Sequence, residues 1–392
     1  MFDKSLNGRP SRRNFLAGAA MALLAGCAVV PKAPAPAPAP TPAPSGDNVI
    51  ASDNDRHRVA LLVPTTGVNA GVGQSLANAA NMAILDTGAK DLRITVYDTG
   101  TNPGDAARRA VADGNKLILG PLLSDDINAV RTIAKPAKVP IISFSNDEKA
   151  AESDVFIIGN LPGQSVSRTI AYARQQGISS FAALVPRGEY GERVSSSLLA
   201  SVRANGGTVL AMENYDRTAA SISAAATRIK AKGGFGALLI ADSGSLSSRA
   251  ATTFRAGGNA SPVRLLGTEL WSGEKELATA PALNGAWFST VSDARFGQFA
   301  KSYRARFGTQ PFRIATLGYD AVLLTLRVSR DWKPGAIFPT TAMFAPDGFL
   351  GVDGAFRFNR NGLIERALEV RAVQAGTVKV IDAAPTGFAK GK

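Results

Sequence analysis

The sequence has few of the side chains that perform most hydrolytic and metal-dependent chemistry. Its 392 residues include one cysteine, Cys27, and one histidine, His57. A single cysteine excludes disulfide frameworks and cysteine-ligated zinc sites. A single histidine excludes multi-histidine metal centres and leaves little room for a Ser-His-Asp triad. We therefore expect no metal, no cofactor and no enzymatic activity.

Charged residues are also sparse, at 19% of the chain, but their signs are unbalanced. There are 44 Lys and Arg against 31 Asp and Glu, which gives a net charge of +13. Such a surplus favours anionic surroundings such as acidic lipid headgroups or cell-wall polymers. No run of five basic residues occurs, and basic residues mix with acids along the chain. This mixture is typical of a solvated basic surface, and we predict no nucleic-acid partner.

Motifs for nucleotide and acyl-serine chemistry are missing or incomplete. The chain has no Gly-x-x-x-x-Gly-Lys-Ser/Thr sequence, which excludes a P-loop. Gly71-Val-Gly73 is followed by Leu76, where a dinucleotide fingerprint has Gly or Ala. Ser272-Gly-Glu-Lys275 fits Ser-x-x-Lys, but the Lys-Thr-Gly motif that accompanies it in penicillin-interacting enzymes is absent. We interpret Ser272 as a loop residue.

The N-terminus has the pattern of an export signal. Residues 11–16 read Ser-Arg-Arg-Asn-Phe-Leu and precede a short apolar stretch, residues 17–25. A basic segment, a short apolar segment and a small residue before the cut indicate a signal peptide, predicted here as residues 1–26. The arginine pair resembles a twin-arginine signal, with general secretion as the alternative route. Leu-Ala-Gly-Cys27 resembles the bacterial lipobox, which implies that Cys27 is lipidated and becomes the mature N-terminus.

The segment after Cys27 predicts a tether. Residues 31–44 are a proline and alanine tract, which favours an extended polyproline II chain over helix or sheet. The disordered tether, residues 27–56, could reach roughly 90 Å at ~3.1 Å per residue. Ala28 stands where an aspartate retains similar lipoproteins at the inner membrane. This resemblance implies a periplasmic, lipid-anchored protein at the outer membrane.

From residue 57 onward, short apolar segments alternate with segments of helical periodicity. A first series runs from residues 58–63 to 139–143, and a second runs from near Val155 to 263–266. Strands that alternate with helices of ten to fifteen residues predict parallel sheets covered on both faces. The sequence thus predicts two doubly wound α/β lobes with a cleft. Near the end, residues 354–359 and 367–374 flank Arg360-Asn-Gly362 as the strands of a β-hairpin would.

Residues 57–382 resemble the type I periplasmic binding proteins, in particular the branched-chain amino-acid receptors. The matching segments, in order, are Val59-Ala-Leu-Leu-Val-Pro-Thr-Thr-Gly67, Gly120-Pro-Leu-Leu-Ser124, Val139-Pro-Ile-Ile-Ser143, Tyr190-Gly191, Gly267-Thr-Glu269 and Gly318-Tyr-Asp-Ala321. In that fold the chain crosses three times between lobes. The resemblance implies a first lobe of residues 57–160 plus 285–345, a second lobe of residues 161–284 plus 346–382, and a tail, residues 383–392.

A closer resemblance is to the penicillin-binding protein activator lipoproteins. It rests on the lipobox, the proline-rich tether, Phe144-Ser-Asn-Asp147 after the fourth strand, and Tyr190-Gly191 downstream. The resemblance implies a non-enzymatic outer-membrane lipoprotein that regulates peptidoglycan synthesis by contacting a class A penicillin-binding protein. The chain departs from that family because a proline and alanine tract stands where the best-known members have a helical-repeat domain. The alternative is a solute-binding lipoprotein of an ABC transporter for amino acids or related small polar ligands.

The resemblance to amino-acid receptors also implies cleft residues. In those receptors two hydroxyl groups hold the ligand carboxylate, a tyrosine packs on the ligand, and an acid of the second lobe pairs with its ammonium group. Ser124, Tyr190 and Glu269 match three of these positions. The second hydroxyl position falls among Ser143, Ser145, Asn146 and Asp147, and Asp242 completes the candidate set.

Asp147 makes the second hydroxyl position unusual. An ionised aspartate beside a ligand carboxylate is a like-charge contact that costs on the order of a few kcal/mol in a dry site. The cleft therefore binds something other than a free amino acid, or it binds nothing and Asp147 caps the next helix. Glu269 could still serve an amine or a sugar amide.

Overall fold

A computed structural model describes residues 55–257 and 263–388 of the chain. These residues belong to one compact unit, Ile50–Lys392. The predicted signal peptide, Cys27 and the tether up to residue 54 lie outside the described residues, as do residues 389–392 of the tail. In the two described ranges, no helix combines the length and the apolar character needed to cross a membrane.

The first part of the chain alternates strand and helix, as the sequence predicts. The strands are β1 (His57–Val63), β2 (Leu92–Asp98), β3 (Leu117–Leu119), β4 (Ile141–Ser143) and β5 (Val155–Ile157). The helices are α1 (Ala70–Thr87), α2 (Pro103–Ala112) and α3 (Ser124–Ala134). Helix α1 includes the glycines of Gly71-Val-Gly73, and Gly73 fits closely against the backbone just after β1. A Cβ atom on Gly73 would lie 1.8 Å from the Pro64 carbonyl oxygen.

The second part repeats the alternation with longer strands. Its helices are α4 (Pro162–Gln175), α5 (Glu189–Ala204), α6 (Ala219–Lys232), α7 (Gly244–Arg255) and the short α8 (Glu276–Thr279). Its strands are β6 (Ser180–Pro186), β7 (Thr208–Tyr215), β8 (Ala237–Ile240), β9 (Arg264–Leu266) and β10 (Trp287–Thr290). Polar caps begin two of these helices, since the side chains of Thr218 and Ser243 accept hydrogen bonds from backbone N–H groups of the first turn.

The last part of the chain changes character. It contains α9 (Phe296–Phe307), α10 (Thr316–Ser329), β11 (Phe349–Gly351), β12 (Gly354–Phe358), β13 (Ile364–Arg366), β14 (Glu369–Gln374) and β15 (Thr377–Asp382). The three strands β11, β12 and β13 form an antiparallel sheet of their own. The predicted hairpin partner, residues 367–374, is wrong as a partner of β12, because β14 pairs with β10 and β15 instead.

Two larger sheets define the two lobes. The first has the order β2-β1-β3-β4-β5 and is parallel, which matches the predicted α/β class. The second has the order β15-β14-β10-β9-β8-β6-β7, in which β14 and β15 run antiparallel to their neighbours. Strand β1 is almost entirely buried, because helices cover both faces of its sheet.

The lobe boundaries drawn from the sequence differ from the strand pairing at two places. Strand β10, expected in the first lobe, pairs with β9 and β14 in the second sheet. The sheet of β11 to β13, expected in the second lobe, packs on the first, since Phe356, Phe358 and Ile364 share its hydrophobic core. Strand patterning shows where strands are but carries no information about which sheet they join.

Buried ion pairs connect the segments that cross between the lobes. Arg313, just before α10, bonds Asp353 at 2.7 Å and Asp293 at 3.1 Å. Arg371 of β14 pairs with the same Asp293 and, at 2.7 Å, with Glu369. Because Asp293 bonds an arginine from each lobe, this network fixes the lobes to one another at the crossing segments.

Candidate functional site

The eight candidate cleft residues lie at or just beyond the carboxyl ends of strands. This is the edge at which open α/β sheets bind ligands. The first lobe contributes the residues that follow β3 and β4, and the second lobe those that follow β6, β8 and β9: Ser124, Ser143, Ser145, Asn146 and Asp147 from the first, and Tyr190, Asp242 and Glu269 from the second. A contact from α5 to Asn146 shows that the two edges face each other.

In the first lobe, the two serines after β4 are used by the backbone. The Ser143 hydroxyl donates to the Pro121 carbonyl at 2.9 Å and accepts from the Ser145 N–H at 3.1 Å. The Ser145 hydroxyl accepts from the Asp147 N–H at 3.0 Å. Both serines are buried, at 0% and 4% exposure. These hydroxyl groups shape the loop and are not presented to the cleft.

Asp147 caps a short helix. Its carboxylate accepts from the Lys149 N–H at 3.1 Å, at the start of the 3-10 helix Glu148–Ala150. Carboxylates at helix starts satisfy N–H groups that have no partner within the helix. Of the two interpretations that the sequence left open for Asp147, the structure contains the cap.

Arg193 is a residue of the candidate site that the sequence analysis did not single out. It extends from α5 across to the first lobe, where its Nη1 donates to the Asn146 carbonyl at 3.2 Å and to the Asn146 Oδ1 at 3.1 Å. Its Nε lies 3.9 Å from an Asp147 carboxylate oxygen, and its Nη2 bonds Glu189 at 3.0 Å. In sequence, Glu189 and Arg193 are four residues apart on a helix, which is the pattern of an ordinary surface ion pair.

A second contact between the lobes runs beside Arg193. Glu148, in the first lobe, accepts a hydrogen bond from the Gly163 N–H in the first turn of α4. Burial raises the pKa of the Glu148 carboxyl, although the Arg193 charge and the Gly163 bond oppose that rise. One carboxylate and one guanidinium thus connect the two walls at the same side of the cleft.

In the second lobe, Tyr190 and Glu269 form one hydrogen-bonded group. The Tyr190 hydroxyl donates to Glu269 Oε1 at 3.1 Å and lies 2.9 Å from the Thr268 hydroxyl. Burial raises the pKa of the Glu269 carboxyl from 4.5 to about 7. Burial also raises the pKa of the Tyr190 hydroxyl well above the ordinary value for tyrosine. The other carboxylate oxygen of Glu269, Oε2, is buried and has no hydrogen-bond partner among the described residues.

Trp271 positions the loop that carries Glu269. Its ring is fully buried, and its Nε1 donates to the Asp242 carbonyl at 3.0 Å and to the Ser247 hydroxyl at 3.1 Å. The ring packs directly on Gly267, where a Cβ atom would approach it to 2.4 Å. The indole therefore fixes the loops after β8 and β9 to each other, and with them the Glu269 carboxylate.

Asp242 is committed to other side chains. One carboxylate oxygen accepts from the Tyr215 hydroxyl at 2.8 Å and from Arg217 Nε at 3.0 Å. The Arg217 guanidinium lies 5.6 Å from the centre of the Tyr190 ring, within the range of a cation–π contact. Arg217 thus covers part of the aromatic surface on which the ligand of an amino-acid receptor would pack.

The structure does not join Ser124 to the other candidates. Its hydroxyl donates to the neighbouring Asp125 carboxylate at 3.3 Å, at the start of α3. The candidates thus separate into three groups: Ser143 to Asp147 with Arg193, Tyr190 with Glu269 and Asp242, and Ser124 alone. Chemically, the arrangement offers a buried carboxylate that can accept a hydrogen bond, and the raised pKa of Tyr190 keeps its phenol a donor.

Comparisons with known proteins agree with the fold. The periplasmic binding protein family matches residues 57–342. A branched-chain amino acid ABC transporter protein from Rhodospirillum rubrum superposes with a TM-score of 0.74 at 20% identity, over 83% of this chain and all of that one. That likeness shows the fold.

Two curated relatives match parts of the chain by sequence. An uncharacterized protein of Rickettsia prowazekii is 32% identical over 139 residues, which is 35% of this chain and 37% of the relative. The penicillin-binding protein activator LpoA of Pectobacterium parmentieri is 25% identical over 133 residues, which is 33% of this chain and 20% of the relative. The matched part of the chain thus spans little more than a third of the first relative and a fifth of the second.

Proposed function

Because the chain belongs to the periplasmic binding protein family, we propose that it works by binding and not by catalysis. We propose further that it is an envelope lipoprotein that regulates peptidoglycan synthesis by contacting a class A penicillin-binding protein. The local similarity to a penicillin-binding protein activator supports the choice of partner. The state of the cleft supports a role other than amino-acid transport.

One observation carries that second point. Arg193 extends across the cleft and bonds Asn146 in the loop after β4. The hydroxyl groups of Ser143 and Ser145 bond backbone groups. A free amino acid would find the Ser143 hydrogen already donated to Pro121, and the Ser145 hydroxyl, which accepts from the Asp147 N–H, is only 4% exposed. Breaking these bonds to admit a ligand would leave buried polar groups unpaired, at about 1–3 kcal/mol each.

Purified components test the proposed partner. The chain should co-isolate with a class A penicillin-binding protein of the same organism from cross-linked envelopes, with partners identified by mass. Added to that synthase in vitro, the chain should raise the rate of glycan polymerisation. The proposal would be contradicted if no such synthase were found among the cross-linked proteins. It would also be contradicted if the rate of glycan polymerisation did not change at a saturating concentration of the chain.

The proposed location rests on the sequence alone. We propose that residues 1–26 are removed, that Cys27 is lipidated, and that the tether lets the compact unit act at a distance from the outer membrane. Cys27→Ala should then release the protein from the membrane fraction. Deleting residues 31–44 should shorten the maximal reach by ~43 Å at ~3.1 Å per residue and reduce activity in cells. Full function of the deletion variant would contradict action at a distance.

A second candidate function is the binding of a small polar ligand, and one observation favours it. Glu269 Oε2 is buried without a partner among the described residues, and buried polar atoms are seldom left so. A ligand with an amine or hydroxyl donor would satisfy this oxygen. Thermal shift with a panel of amino sugars and polyamines tests this candidate, and the shift should vanish in Glu269→Ala. No shift with any compound of the panel would count against it.

A further inference from the structure

A second cavity lies on the first lobe, away from the cleft, between α9, α10 and β11. It encloses about 360 Å³, and we call it the α9–β11 groove. Its lining is mostly apolar, with polar groups at the edges: Met82, Asp86, Arg295, Gln298, Phe299, Ser302, Tyr319, Leu323, Leu350, Gly351 and Val352. Beyond Leu323 and Leu350, which border both, a smaller cavity of about 180 Å³ continues toward Arg327.

Leu350 is the most unusual residue of this groove. It lies on β11 with 56% of its surface exposed, whereas its apolar neighbours Met82, Phe299 and Val352 are at most 8% exposed. One exposed leucine is ordinary on a protein surface. A leucine that separates two adjoining cavities with buried apolar floors instead resembles the pocketed centre of a protein interface.

Exposed positive charges lie on the two helices that form the groove. Lys301 of α9 and Arg327 of α10 are exposed, and neither has an acidic partner in the ranges that the structure describes. Arg295 lines the groove and donates to the Gly351 carbonyl at 2.8 Å.

Three acids lie near these cations. Asp320 lines the smaller cavity together with Arg327, but its side chain is fully buried. Asp86 already pairs with Arg306 at 2.6 Å and accepts from the Tyr319 hydroxyl at 3.1 Å. Asp347 is exposed three residues before Leu350. The surplus of positive charge therefore remains at the cations of α9 and α10.

We propose that the α9–β11 groove docks a segment of a partner protein in which acidic residues flank one bulky apolar side chain. The apolar side chain enters the groove beside Leu350, and the acids pair with Lys301 and Arg327. Charge complementarity of this kind fixes the register of a segment and speeds its association. The inference rests on the proposed contact with a partner and names the surface through which that contact runs.

Photo-cross-linking in cells tests the surface with the full chain. A benzophenone amino acid replaces Leu350, and in a matched control it replaces Leu199, which is 52% exposed on the second lobe. The Leu350 position should form an adduct whose partner peptide, read by mass spectrometry, carries acids on both sides of an apolar residue. The control position should form no such adduct.

Charge reversal then tests the complementarity. Lys301→Glu with Arg327→Glu should lower the adduct yield at position 350 about tenfold, because repulsion replaces attraction. The matched double variant Arg249→Glu with Lys275→Glu makes the same charge change on the second lobe and should leave the yield unchanged. All four side chains are exposed, so the variants should fold.

The outcomes separate this inference from the proposed function. An adduct with a second copy of the chain, with a segment that lacks acids, or no adduct above the control would overturn the docking surface. An acidic segment from a protein other than a penicillin-binding protein would uphold the surface and contradict the proposed partner. A penicillin-binding protein captured only at position 199 would uphold the proposed partner and contradict the docking surface.

Discussion

The two walls of the cleft differ in how their polar groups are used. In the first lobe, Ser143, Ser145 and Asp147 all bond backbone N–H or C=O groups of the loops after β3 and β4. In the second lobe, Glu269 ends in a carboxylate oxygen without a partner among the described residues. Residue types that match a binding site can therefore be either committed to the fold or available to a ligand, and only their contacts distinguish the two.

Arg193 makes the comparison sharper, because it connects the two walls. Arg193→Gln should lower the free energy of unfolding by about 2–3 kcal/mol, since charge-assisted bonds to Asn146 are lost from a side chain that is 15% exposed. Urea unfolding of residues 50–392 measures the change. Arg249→Gln, on an exposed position of α7, is the matched control and should change stability by less than about 0.5 kcal/mol. Equal effects of the two variants would show that the bridge contributes nothing.

Ser143 of the first wall should give the next largest change in the free energy of unfolding. Ser143→Ala should cost about 1–2 kcal/mol, because the Pro121 carbonyl and the Ser145 N–H each lose their bond to the serine hydroxyl in a fully buried site. Ser124→Ala, at the partly exposed start of α3, should cost less than about 0.5 kcal/mol. If instead Ser124 proved the costlier position, the first wall would not be committed to structure in the way its bonds indicate.

On the second wall, we expect the contribution of Glu269 to the free energy of unfolding to depend on pH. Its folded pKa of about 7 exceeds the ordinary 4.5, so the folded state binds the proton more tightly and loses stability as pH rises from about 4.5 through 7. Glu269→Gln removes this loss and keeps an acceptor for Tyr190. The variant should be more stable than the wild type at pH 8, and this difference should nearly vanish at pH 5. Unfolding at both pH values measures the difference, and Asp320, whose pKa is also raised to about 7 by burial, titrates in both proteins alike.

Much of the fold could be predicted from the sequence, because it depends on local periodicity. The predicted apolar segments 58–63 and 263–266, for example, correspond to β1 and β9 within one residue at each end. The pairing of β10 and β14 could not be predicted, since it joins residues about 80 positions apart in sequence. Strand identity is a local property, whereas sheet membership is set by packing of distant segments.

The candidate site could be predicted only in part, because some of its contacts join segments that are distant in sequence. The family resemblance indicated Tyr190 and Glu269, and in the structure the Tyr190 hydroxyl donates to Glu269 Oε1 at 3.1 Å. Arg193 had no signal of its own, because its spacing from Glu189 fits a solvated helix surface. Its contact with Asn146 connects residues 47 positions apart and depends on how the lobes face each other.

Binding of free amino acids tests the central claim most directly. Residues 50–392 are heated with each of the twenty amino acids at millimolar concentration. We predict no change in Tm, because Arg193 bonds the loop of the first wall from across the cleft, and the serine hydroxyls of that wall are buried and bonded to backbone groups. A ligand at 100 times its Kd would add ~2.7 kcal/mol, a shift of several degrees. Such a shift with Leu, Ile or Val, abolished by Glu269→Ala, would contradict the proposal and make the chain an amino-acid receptor.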